Sequence, residues 1–233
     1  MRTMTDVAQL LAKTKLFGLL GEPDRDRIAQ QMRPASFAAG QAIFARGDPG
    51  TEVYLVLKGR VRLSVLSLEG RELSFTHAGP GDVFGEIATL DGGARTADAT
   101  AVTSVEAMTL SRAALNRFLE TSPELARAAI LLLCGRIRDA DLQLEGVALH
   151  RIEVRLARYF LSLVGQQHGE VTAGSRPKVV LGMSQGELAL LLGASRPKVN
   201  AALMLLEDSG AITREGDRFV CDCDELNQVA ELG

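Results

Sequence analysis

The apolar positions of this chain follow three different periods, and each predicts a different kind of element. Between about residues 34 and 120, short alternating or β-branched runs recur as "VYLVLKG", "VRLSVLS", "ELSFTHA" and "VEAMTL". Gly40, Gly47, Gly59, Gly70 and Gly81 punctuate them. Short strands with regular turn signals predict a compact antiparallel barrel or sandwich. The amphipathic stretches "VAQLLAKTKLFGLL" and "RAALNRFLETS" predict helices before and after it.

The period then changes to that of a long helix. Ser122-Pro123-Glu124 sets an N-cap, a proline in the first turn and an acidic residue beside it, which is a helix start. Ala126, Ile130, Leu133, Ile137, Ala140, Leu144 and Val147 follow at alternating spacings of four and three. That is the seam of a coiled coil rather than a general core stripe. A helix over 123–149 would run about 40 Å, longer than one small domain requires. Two accounts of the seam stand: an internal core helix, or a parallel two-stranded coil that makes a homodimer. Gly135 and Gly146 weaken the helix by roughly 1 kcal/mol each, so packing must hold it.

From about residue 150 a third pattern appears. Ser184 caps a predicted helix with apolar Leu188, Ala189, Leu191 and Leu192, and Gly193 supplies the turn. Ser195 caps the next, with Pro197 in its first turn and Val199, Ala202, Leu203 and Leu206 as its stripe. Two short helices across a glycine turn form a helix-turn-helix pattern, whose second helix enters the DNA major groove. Glu215-Gly216-Asp217 between two strand-like runs predicts a hairpin wing. Arg196 and Lys198 at the start of the second helix, with no acidic residue until Glu207, suit phosphate and base contact. Ser184, Gln185, Ser195 and Asn200 join them as DNA-facing candidates.

Composition alters this picture little. At 233 residues, 46% hydrophobic and 24% charged, with a formal charge of -3, the chain has the profile of a two-domain globular protein. No run approaches the roughly 18 apolar residues of a membrane span, and no secretory pattern opens the chain, so a cytoplasmic location is expected. Three cysteines, Cys134, Cys221 and Cys223, lack metal-ligand spacing, and no metal site is expected. There is no nucleophile elbow and no catalytic carboxylate pair, which argues against an enzyme.

The stretch "FGEIATLDGGARTA", residues 84–97, carries the chemistry. Its start reads as a short helix from Glu86, with Gly85 letting the backbone approach a ligand closely. Arg95 offers a permanent cation and a planar donor fork for phosphate oxygens, with the Thr96 hydroxyl beside it. Glu86 would repel a phosphate unless it accepted hydrogen bonds from sugar hydroxyls of the same ligand. Ile87, in the same turn, completes the set. The structural alternative is a buried Glu86–Arg95 ion pair.

"GQAIFARGDPGTEVYLVLKGRVRL" followed by "GDVFGEIATLDGGARTADATA" resembles the cyclic-nucleotide-binding domain and its phosphate cassette. With the winged helix downstream, nearly the whole chain resembles the cyclic-AMP receptor (CRP/FNR) superfamily. The resemblance implies an α+β chain: an N-terminal antiparallel β-roll over 1–122, a dimerisation helix over 123–149 and a winged helix-turn-helix domain over 150–233. It places Gly85, Glu86, Arg95 and Thr96 at ribose and cyclic phosphate, and it implies as partners double-stranded DNA with an inverted-repeat operator, a second copy of the chain and RNA polymerase. The implied effector is a cyclic nucleotide, with cyclic AMP favoured over cyclic GMP; a constitutive regulator with a vestigial sensor is the alternative. The departures bear on specificity. Pro197 and Ala201 stand where the family's receptor carries a glutamate and a second arginine. Counting back from the hinge puts Ala140 and Asp141 where that receptor meets its purine with hydroxyl residues. A carboxylate there could accept two hydrogen bonds from guanine and one from adenine.

Overall fold

The computed structural model describes residues 4–67, 72–172 and 174–231, and the turn expected at Gly70 lies outside them. The chain divides into two compact units, Met1–Asp139 and Ala140–Gly233.

In the first unit, α1 (Met4–Leu11) and α2 (Glu22–Gln31) precede β1 (Arg33–Phe37), β2 (Ala42–Phe44), β3 (Glu52–Lys58), β4 (Val61–Leu66), β5 (Glu72–Ala78) and β6 (Val83–Phe84). Then come α3 (Glu86–Asp91), β7 (Asp98–Ala101), β8 (Val105–Ser111), α4 (Arg112–Thr121) and α5 (Pro123–Leu149), whose residues from Ala140 onward belong to the second unit. The strands form two four-stranded antiparallel sheets, ordered β1-β8-β3-β6 and β2-β7-β4-β5. The run "VYLVL" of β3 shows why. Alternate strand residues point to opposite faces. Val53, Leu55 and Leu57 accordingly join a core with α1, α2 and α4, while Tyr54 and Val56 join the core between the sheets with Val61, Phe84 and Ala101. A strand covered on both faces reads as a continuous apolar run.

The expected N-terminal helix stops at Leu11 rather than continuing to Leu20. Thr14 intervenes: its hydroxyl donates to the Leu11 carbonyl at 2.8 Å and accepts the Phe17 N–H at 3.0 Å. Side-chain bonds of this kind compete with the helical ladder. Leu16, Phe17 and Leu20 still reach the core, from turns.

Helix α5 begins as its sequence signals predict, with the Ser122 hydroxyl accepting the Leu125 N–H at 3.2 Å. Its buried positions Leu125, Ala128, Ala129 and Leu132 fall in its first turns. The heptad seam points elsewhere. Ile130, Ile137 and Leu144 are 62%, 61% and 68% exposed, so the internal-core account of the seam is not what one chain shows.

The second unit contains α6 (Ile152–His168), β9 (Lys178–Val180), α7 (Gln185–Leu191), α8 (Arg196–Asp208), β10 (Ile212–Glu215), β11 (Arg218–Cys221) and α9 (Cys223–Glu231). Leu156, Phe160, Leu188, Val199, Leu203 and Phe219 share its core. Gly193, at φ +60°, makes the turn between α7 and α8. The β10–β11 pairing closes with Glu215 opposite Arg218, leaving Gly216, at φ +64°, and Asp217 as a two-residue turn. This hairpin is the expected wing, extended to three strands by β9.

Candidate functional site

Two clusters of candidate residues fall in the two units. In the first, β6 ends at Phe84 and Gly85 caps α3 with φ +76°, a left-handed conformation that glycine adopts without strain. Space also demands glycine, since a Cβ there would stand 2.7 Å from Arg95 Nη1. The Thr89 hydroxyl donates to the Gly85 carbonyl at 2.7 Å and ties the turn to the helix.

Arg95 is 4% exposed. Nη1 donates to the Gly85 carbonyl and Nη2 to the Glu52 carbonyl, each at 2.7 Å, while its guanidinium carbon lies 4.2 Å from the Phe44 ring centroid. Its buried Nε has no hydrogen-bond partner. Among the described residues it enters no ion pair, and its direct contacts are neutral oxygens and the faces of the Phe44 and Tyr54 rings. Burial accordingly pulls its pKa below the ordinary guanidinium value, with Tyr54, Glu52, Asp48 and Glu86 acting in the opposite sense.

The Glu86–Arg95 ion pair posed by the sequence does not form. Glu86, 3% exposed, instead meets Arg136 of α5, whose Nε lies 3.1 Å from Oε1 and whose Nη2 donates to the Val83 carbonyl at 3.1 Å. Arg136 was not among the candidate residues. It flanks the seam between Leu133 and Ile137, where an arginine looks like any solvated coiled-coil charge. Ile87 is 37% exposed and Thr96 is exposed beside Arg95. Ala140 and Asp141 belong to the second unit and are exposed on α5.

In the second unit, the Ser184 hydroxyl accepts the Glu187 N–H at 3.2 Å and caps α7. Its other end is held by Arg155 Nη1, 2.5 Å from the Leu192 carbonyl, and by Gln143 Nε2, 3.5 Å from the Leu191 carbonyl. The stripe Val199, Ala202, Leu203 and Leu206 buries α8 as expected, which leaves Ser195, Arg196 and Lys198 exposed at its start. Two expectations need correction. Ser195 takes the N-cap position without a side-chain cap bond, and Asn200 is half-buried with its Oδ1 turned away from solvent and unpartnered. Gln185 is half-buried.

Among the described residues, no group of three or more His, Cys, Asp or Glu side chains could hold a metal ion, and no helix is long and apolar enough to cross a membrane. The Cys221 thiol is pushed up to about 12 by burial, with Cys223 adding to the shift.

A two-sheet β domain with a buried arginine, followed by a winged helix-turn-helix, defines a DNA-binding transcription regulator rather than an enzyme. Residues 34–122 match the cyclic nucleotide-binding domain, and residues 154–229 match the Crp-like helix-turn-helix domain. A CRP-like cAMP-activated global transcriptional regulator of Mycobacterium tuberculosis is 32% identical over 223 residues, covering 95% of this chain and 99% of that protein. The cyclic AMP receptor protein of Thermus thermophilus is 32% identical over 197 residues, covering 84% and 87%. Among solved structures, a CRP/FNR-family transcriptional regulator of Thermus thermophilus superposes with a TM-score of 0.65 at 30% identity, covering 85% of this chain and 98% of that one. FixK2 from Bradyrhizobium japonicum shares the fold at a TM-score of 0.75 and 23% identity, over 85% and 96% of the two chains. The chain belongs to the CRP/FNR family of transcription regulators.

Proposed function

We propose that the protein is a homodimeric regulator whose grip on DNA is controlled by a cyclic nucleotide, cyclic AMP before cyclic GMP. The observation that carries this reading is Arg95: a guanidinium 4% exposed, with no ion pair among the described residues and with Nε unpartnered. A buried charge with no ion-pair partner is costly, and a phosphate placed against it offsets that cost. Gly85, Ile87 and Thr96 border the same place, and Glu86 supplies the acceptor a ribose needs. Arg136 then becomes a ligand-site residue too, because any hydroxyl that reaches Glu86 must share the carboxylate with it. The Mycobacterium tuberculosis relative is a cAMP-activated global transcriptional regulator, which supports the choice of purine.

The exposed seam of α5 supports a parallel homodimer. Two copies would present their α8 helices about a two-fold axis, to an inverted-repeat operator with half-sites about 34 Å apart. Arg196 is the guanine reader and Lys198 a phosphate contact. RNA polymerase is the further partner such a regulator meets at a promoter. In this division of labour residues 1–122 sense, 123–149 dimerise and 150–233 bind DNA.

The test is calorimetric titration of the wild-type protein and Arg95→Ala with both nucleotides. Wild type should bind at least one intact nucleotide, and Arg95→Ala should lose binding while remaining folded, since truncating one partner of a buried charge pair costs about 2–5 kcal/mol. A second reading, a constitutive regulator, finds support in Glu86 being already engaged by Arg136. Wild-type protein that binds neither nucleotide but binds its operator would establish it.

A further inference from the structure

The middle of the DNA-facing side of α8 is apolar. Val199, Ala202, Leu203 and Leu206 are buried, and at 100° per residue the line opposite them runs through Pro197, Ala201 and Met204. All three are exposed, Met204 at 62%, with Leu205 beside them at 52%. Nothing in the unit's own core explains a row of exposed apolar side chains there. The charges sit on its flanks: Arg196 on one side and Lys198 on the other, both exposed, while Glu207 and Asp208 mark the far end. Basic flanks suit an acidic groove, and acidic residues at the C-terminal end keep that end off the phosphates.

Resting on the reading that α8 enters the major groove, we propose that Ala201 reads a thymine by its 5-methyl group. Base edges in that groove offer hydrogen-bond donors and acceptors, and thymine alone among the four unmodified bases offers a methyl. Pro197 and Ala201 have side chains with neither donor nor acceptor, so the line that points most directly outward is not fitted to read guanine or cytosine by hydrogen bonds. Ala201 stands one turn beyond Pro197 and five residues beyond Arg196, so a contact from its methyl falls a short step along the groove from the base that Arg196 reads. The half-site therefore combines one guanine, recognised by the Arg196 fork, with one thymine recognised by van der Waals contact.

The experiment uses the full-length protein and the best operator selected from random duplexes. Each thymine is replaced in turn by deoxyuridine, which removes the methyl and leaves every hydrogen-bonding group in place. We expect one position per half-site at which the replacement weakens binding roughly fourfold, the factor that corresponds to burying one methylene-sized group. At that position 5-methylcytosine should bind more tightly than cytosine. In Ala201→Gly the uridine penalty should disappear at that position, while Arg196→Ala should keep it. Ala201→Ser, which retains the helix and replaces the methyl by a hydroxymethyl, should shrink it, so a poorly folding glycine variant does not decide the matter. Selected operators indifferent to deoxyuridine at every position would overturn the methyl reading alone and leave the exposed strip as a surface for another protein. A chain that selects no sequence at all would overturn the DNA-binding reading and this one with it.

Discussion

Gly85 concentrates the physics of the sensor in one residue. Its φ of +76° costs a residue with a Cβ about 1–2 kcal/mol, and that Cβ would stand 2.7 Å from the guanidinium of the proposed phosphate site. Gly85→Ala is therefore expected to displace Arg95 as well as strain the turn. Its nucleotide affinity should fall by more than tenfold while its melting temperature falls by only a few degrees, and calorimetry with thermal denaturation separates the two. A second residue, Asp141, is the proposed reader of the purine. Asp141 is exposed on α5, next to Ala140, in an element that the proposed dimer brings together with its copy. If its carboxylate meets the base, it accepts two hydrogen bonds from guanine and one from adenine. Asp141→Ala should then lower the ratio of cyclic GMP to cyclic AMP affinity, and an unmoved ratio in paired titrations would remove Asp141 from the ligand site.

At the scale of elements, α5 carries two apolar faces with different jobs. Leu125, Ala129 and Leu132 fasten its first turns to the core of the N-terminal domain, whereas Ile130, Ile137 and Leu144 face outward in a single chain. Ile137→Asp should abolish the dimer in sedimentation equilibrium without unfolding the sensor, because the side chain makes no part of a single chain's core. The seam was legible because it repeats over three heptads; the fastening face was not, because it occupies only two turns. The same contrast runs through the strands. "VYLVLKG", "VRLSVLS", "ELSFTHA" and "VEAMTL" became β3, β4, β5 and β8, while "RPASF", "AIF" and "DATA" carry too little pattern to announce strands and owe their conformation to long-range pairing. α2 escaped for a related reason, burying only Ile28 and Ala29 along a polar stretch. In the site, Gly85, Glu86 and Arg95 were legible from the chemistry of a phosphate and a sugar. Arg136, Thr89 and the Glu52 carbonyl were not, since each acts through a contact between residues 6 to 50 positions apart, or between a side chain and a backbone oxygen.

For the whole molecule, the proposed mechanism requires that nucleotide and DNA favour the same state of the dimer. A ligand shifts an equilibrium only by its difference in affinity for the two states. Arg136 of α5 is bound to Glu86 of the cassette, so a ribose that takes up Glu86 alters what holds the helix that carries the seam. Two Asp141 carboxylates facing each other across the dimer would repel until a purine amine came between them, which gives the nucleotide a second hold on the same helix pair. Such a coupling must be reciprocal: the factor by which nucleotide raises operator affinity is the factor by which operator raises nucleotide affinity. The expected size is about 5- to 150-fold, the range of ordinary allosteric coupling. Titrating nucleotide into the protein with and without a saturating operator duplex, and operator with and without saturating nucleotide, yields both factors. Equal factors above one establish that the cassette and the wing bias one shared equilibrium. A factor of one in both directions, with nucleotide and DNA each bound, would mean that this chain senses and reads without connecting the two.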